Sequence, residues 1–101
     1  MADLPTRDAF AGCLNTGFHV MDGSTAVFDL ELAEVSELKV VPRQQIFSII
    51  FRGPASRLLP QRIYRLKQDT LGEMDLFLVP VARKEESILY EVVFNRLMPP
   101  G

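Results

Sequence analysis

At 101 residues the chain is one domain with room for a single core, and 48% hydrophobic with 24% charged residues excludes a disordered chain. No apolar run reaches the roughly 20 residues of a membrane-spanning helix, and one cysteine, Cys13, excludes an internal disulfide. The formal charge of −2 conceals a segregation: residues 1–38 hold seven acids against one base, residues 39–68 seven bases and no acid, and residues 69–101 six acids and three bases.

In chain order, Met1 to Asp8 carries acids where a signal peptide needs bases and no apolar stretch follows, so a cytoplasmic protein is expected. Residues 4–14 are the one helical candidate. Asp3 or Thr6 can cap it, Pro5 suits the first turn, and Phe10 and Leu14 at i, i+4 form an apolar stripe. Asn15-Thr16-Gly17 stops it, with Gly17 free to take a positive φ. A helix this short must dock on a sheet to persist.

Six strands are predicted next, over about 17–21, 26–38, 44–53, 61–69, 74–82 and 88–97. Asp22-Gly23 is favoured hairpin-turn chemistry between the first two. In the second strand Phe28, Leu30 and Leu32 share a face opposite Asp29 and Glu31, and the parity breaks beyond Leu32. A bulge near Ala33-Glu34 would explain the break and bend the strand, as closing a small barrel requires. In the third, Phe47, Ile49 and Phe51 face the core, and Gly53-Pro54-Ala55-Ser56 is a turn.

In the fourth strand Tyr64 and Leu66 oppose Ile63, Arg65 and Lys67. Gly72 is the left-handed position of the following hairpin, and Pro80 marks an unpaired or bulged edge in the fifth strand. The fold class expected is therefore all-β: about six antiparallel strands in a small barrel or roll, with one short N-terminal helix.

The last two strands are apolar on both faces. Leu76 and Leu78 oppose Phe77, Val79 and Val81; Tyr90, Val92 and Phe94 oppose Leu89 and Val93. A hairpin with one wet face alternates more cleanly, so something must cover the second face, either the N-terminal helix or a partner. Phe77, Val79, Val81, Leu89 and Val93 are thus the candidate protein interface.

The basic middle third has two readings. Acidic and basic strands can lie side by side, with Asp29 and Glu31 facing arginines, or Arg52, Arg57, Arg62 and Arg65 can form an anion-binding face for phosphate, nucleic acid or another anionic ligand. Against nucleic acid stand the acidic overall balance and the core parity of Phe47 and Phe51.

No reactive constellation accompanies this pattern. His19 has no triad or zinc partners beside it, Cys13 reads as packing, Asp29, Glu31 and Glu91 as solvated strand acids, and Gly53 and Gly72 as isolated turn glycines. No catalytic residue, metal ligand or cofactor is expected, and the chain reads as a non-enzyme.

The blocks Phe47 to Pro54, Leu59-Pro60-Gln61-Arg62-Ile63-Tyr64, Leu71-Gly72-Glu73, Leu76 to Val81 and Tyr90 to Arg96 resemble an uncharacterised bacterial family of about 100 residues, a domain of unknown function. The likeness spans almost the whole chain. It carries over no catalytic residue. An association of relatives with phage-tail-collar-like proteins would imply a structural or assembly role, with a protein partner or self-association.

Overall fold

The computed structural model describes residues 4–97. One helix, α1 (Arg7–Ala11), precedes seven strands: β1 (Gly17–Asp22), β2 (Thr25–Val35), β3 (Lys39–Val41), β4 (Gln44–Pro54), β5 (Arg62–Gln68), β6 (Gly72–Lys84) and β7 (Ser87–Leu97). Every pairing is antiparallel, in the order β2-β1-β5-β6-β7-β4-β3. A further β2–β4 ladder, from Glu31–Arg52 to Val35–Ile49, closes six of these strands into a barrel. β3 lies outside the closure, on the first residues of β4.

The barrel interior is filled by the inward residues of each strand. Phe18, Val20, Leu30, Leu32, Ile49, Phe51, Leu66, Met74, Leu76, Leu78, Ile88, Tyr90 and Val92 are all buried. The expected parities of Phe47-Ile49-Phe51 and Leu30-Leu32 place those residues on the inner face. Closure needs local bending, and three register shifts supply it. One lies between Val20 and Met21, one between Leu32 and Glu34, at the predicted bulge, and one between Pro80 and Ala82, beside the proline that marks the edge.

Turn chemistry follows the sequence at Gly23 and Gly72, with φ of 63° and 81°. It departs after the helix. Gly17 is extended in β1, and Asn15 takes the left-handed position instead, φ 66°. The reason is pairing: the Asn15 amide donates to Leu32 O at 2.8 Å and the Leu32 amide to Thr16 O at 3.1 Å, so the β1–β2 ladder already begins before Gly17.

Two further expectations need correction. The predicted helix over 4–14 shrinks to five residues, capped by Thr6, whose hydroxyl accepts the Ala9 amide at 3.2 Å. Leu14 therefore leaves the Phe10 stripe and is 41% exposed, while Cys13 is buried in its place. The predicted strand over 26–38 stops at Val35 as β2, and an unpredicted seventh strand, β3, follows at Lys39–Val41. Ser36 causes the break, because its backbone and hydroxyl both bond to Ser48 and its carbonyl accepts Arg7 Nε at 2.9 Å.

The two ends of the barrel are plugged differently. At one end Phe10 of α1 is fully buried against Phe94, Phe47 and Phe18, with ring centroids 5.2, 6.2 and 6.3 Å away. At the other, residues 55–61 fold over the opening. Tyr90 Oη, rising from the core, accepts the Leu59 amide at 2.9 Å and donates to Arg57 O at 3.4 Å. The buried polar side chain in the interior, Gln68, satisfies its own turn: Oε1 accepts the Thr70 and Leu71 amides at 2.6 and 2.7 Å.

Candidate functional site

Antiparallel strands put alternate side chains outside, and on β5, β6 and β7 that outer set includes apolar residues beside its charged ones. Ile63 pairs across to Phe77, Val79 lies in one row with Glu91 and Ile50, and Leu89 lies beside Ala82 and Arg52. Ile63 is 64% exposed, Phe77 47%, Val81 50% and Val93 60%; Val79 and Leu89 are half-buried. The helix covers none of them, since its apolar residue Phe10 enters the barrel mouth, whose residues point the other way. Of the two covers expected for the second face, α1 is therefore not the one: among the described residues the face stays open. Ile63 belongs to it and was missed by the sequence reading. Its signal was an isoleucine at the parity of Arg65 and Lys67, where a solvated strand face has no need of one.

The four candidate anion-binding arginines divide into two pairs. Arg52 is held by Glu31 at 2.9 Å, across the β2–β4 ladder. Arg65 donates through Nε and Nη2 to Asp75 at 2.8 and 3.3 Å and approaches Glu73 at 3.9 Å. These outer-face charges are spent within the chain, as the side-by-side reading requires. Arg57 and Arg62 instead lie over aromatic rings, 5.4 Å from the Phe28 centroid and 5.2 Å from the Tyr64 centroid. Burial raises the Tyr64 hydroxyl above its ordinary pKa, with Arg62 pulling it back. Asp29 bonds not to an arginine but to His19 Nδ1, at 2.6 Å.

The hydrogen bond from Arg65, with its charge, holds the Asp75 carboxyl below the usual carboxylate range. The folded pKa lies below the unfolded one, so the stabilisation is present above the unfolded value near 3.9 and is lost as pH falls through the folded value. Asp75→Asn is expected to flatten that part of the acid limb in urea midpoints measured between about pH 5 and pH 2. An unchanged pH profile would show that the pair contributes nothing, as many exposed pairs do.

A cavity of about 530 Å³ opens at the helix end of the barrel. Its floor is the Phe47–Phe94 stack, with centroids 4.6 Å apart and planes at 13°. Leu4 to Asp8 form one wall, Val93 to Arg96 the other, and Leu38 and Gln45 complete it. Sequence reasoning missed this site, because it is assembled from segments some ninety residues apart. Among the described residues no group of three or more His, Cys, Asp or Glu could hold a metal ion, and no helix is long and apolar enough to cross a membrane.

These features define a class: a small closed antiparallel barrel, plugged at its mouth by one short helix and carrying an uncovered apolar outer face. Residues 5–94 match the family described as domain of unknown function (DUF6916), and the chain belongs to that family. No curated protein and no solved structure matches it.

Proposed function

We propose that the domain is a non-enzymatic interaction module that self-associates, docking the outer face of β5–β6–β7 on the same face of a second copy. The observation that carries this reading is the exposure of Ile63, Phe77, Val81 and Val93 together on one side of a barrel whose core is already filled. The charges around them choose the occupant. Arg65 and Lys67 are balanced by Asp75 and Glu73, and Arg52 by Glu31, so this rim carries little net charge to select an oppositely charged partner. A second copy of the same neutral, apolar surface meets that condition, and a twofold contact is the commonest way for one patch to pair with itself.

The reading extends to a cytoplasmic setting, in keeping with a single cysteine, and to a structural role in a larger bacterial, phage-tail-like assembly, in keeping with the resemblance noted in the sequence. Anion binding is the weaker alternative, because two of its four arginines are engaged and it rests on Arg57 and Arg62.

Sedimentation velocity from micromolar to millimolar protein is expected to show a monomer–dimer equilibrium. Phe77→Ser with Val81→Ser, both on exposed positions, should shift it to monomer by about tenfold or more in dissociation constant. A wild-type chain that stays monomeric over the whole range would sink the reading.

A further inference from the structure

The β6–β7 ladder begins at Lys84–Ser87 and ends at Val79–Glu91. β7 nonetheless continues to Leu97, paired only with β4, from Ile49–Val92 to Gln44–Leu97. Among the described residues, β7 beyond Glu91 therefore has a neighbour on one side alone. An edge of this kind presents a row of backbone N–H and C=O groups ready to pair with another strand.

The cavity at the barrel mouth lies along this edge. Val93, Phe94, Asn95 and Arg96 all line it, although successive residues of a strand point to opposite faces. Phe94 and Arg96 line it together with their β4 partners Phe47 and Gln45, so it lies over the end of the β4–β7 ladder and is bounded on one side by the strand whose far edge is unpaired. The opposite wall, Leu4 to Asp8, is also a run of consecutive residues, so the space is a slot with a peptide-like wall on each side. Its two inward β7 positions differ in chemistry. Phe94 stacks on Phe47, and Arg96 has no carboxylate within ion-pair distance among the described residues, whereas Arg7 on the far wall is engaged by Asp8 at 3.2 Å.

We propose that the slot binds an extended peptide as an added strand on the β7 edge, with an apolar side chain over Phe94 and an acidic one, two residues away, at Arg96. Backbone pairing supplies the affinity, and the alternating pockets supply the preference, as in other cases of strand addition. The occupant is a strand because an unpaired ladder can be completed only by another extended backbone. It is acidic at one position because Arg96 is the slot's cation without an ion-pair partner among the described residues. This binding surface shares Val93 with the self-association face but uses backbone pairing and the Phe94 and Arg96 positions, and it does not depend on self-association.

The test uses the full chain, isotope-labelled, titrated with the blocked peptide acetyl-Thr-Glu-Val-Phe-Val-Thr-amide and with two analogues N-methylated on alternate amides, one set in each phase. Saturable binding should protect alternate amides between Val92 and Leu97 from hydrogen exchange. One N-methylated phase should lose binding and the other keep it. Arg96→Glu should weaken the peptide about tenfold and favour its Glu-to-Lys counterpart, while Phe77→Ser leaves the affinity unchanged even if it abolishes self-association. The proposal is overturned if no binding is detected at millimolar peptide, if both N-methylated phases bind equally, or if protection appears away from β7.

Discussion

Phe10→Ala is expected to cost about 3–5 kcal/mol, the range for deleting a buried phenylalanine ring. The ring is fully buried and touches three other aromatics, Phe18, Phe47 and Phe94, which come from three different strands. Those strands converge at the barrel mouth, where no ladder closes the end. Removing the plug leaves a void that cannot collapse, because the rings around it belong to strands held in register by their own hydrogen bonds. A domain of this size loses about 4–8 °C of melting temperature per kcal/mol, so the fall should be roughly 12 °C or more. Urea titration and thermal circular dichroism both measure it. Leu14→Ala, one turn further on but exposed, should change stability by about 0.5 kcal/mol or less. A Phe10→Ala loss below about 1 kcal/mol would mean that the helix is an ornament on the barrel and not its stopper.

The second large effect is expected at Gly53. A Cβ built there would sit 2.6 Å from Leu30 Cδ2 and 3.3 Å from Tyr90 Cε2. Leu30 and Tyr90 are both fully buried, and Tyr90 is also fixed at its far end by its bonds to residues 57 and 59. Leu30 must therefore leave its rotamer or the β4 backbone must move outward. Gly53→Ala should cost about 1–3 kcal/mol, the usual penalty of overpacking. Gly53 has no left-handed φ, so the cause is steric. Leu30→Ala in the Gly53→Ala background separates the two explanations. If the clash is the cause, the double variant is less destabilised than the two single losses summed, measured as a coupling in urea unfolding. Gly12→Ala is the contrast. The nearest atom to a Cβ there, Ala9 O, lies 3.6 Å away and the φ is −68°, so the change should be neutral or stabilising by about 0.4–1 kcal/mol.

Much of the barrel can be read from local chemistry. Inward parity at Phe47-Ile49-Phe51 follows from period-two alternation, and the turns at Gly23 and Gly72 follow from residues that tolerate positive φ. The bulge after Leu32 could be located because a single extra residue reverses every later side chain. The helix end could not, since Asn15 and Leu14 take their places from a ladder to Leu32, seventeen residues beyond Asn15. Nor could the division of β2 from β3, which depends on Ser36 meeting Ser48 and Arg7.

The candidate sites divide in the same way. That Phe77, Val79, Val81, Leu89 and Val93 form a second apolar face is legible, because parity alone separates them from Leu76, Leu78, Tyr90 and Val92. That Arg52 and Arg65 are neutralised while Arg57 and Arg62 stack on rings is not, because each partner is chosen by strand register.

The amino-acid order by itself determined the antiparallel class, the turn positions and the two-sided apolar character of the C-terminal hairpin. Each depends on residues a few positions apart. The fold alone decided that β2 meets β4 to close the barrel, that Phe10 enters the mouth and leaves the outer face bare among the described residues, and that β6 follows β5 away from β7 beyond Val79–Glu91 to leave an open edge. Those outcomes arise from contacts between distant segments, where the gain from burying several aromatic rings together outweighs the entropy of closing the loops between them.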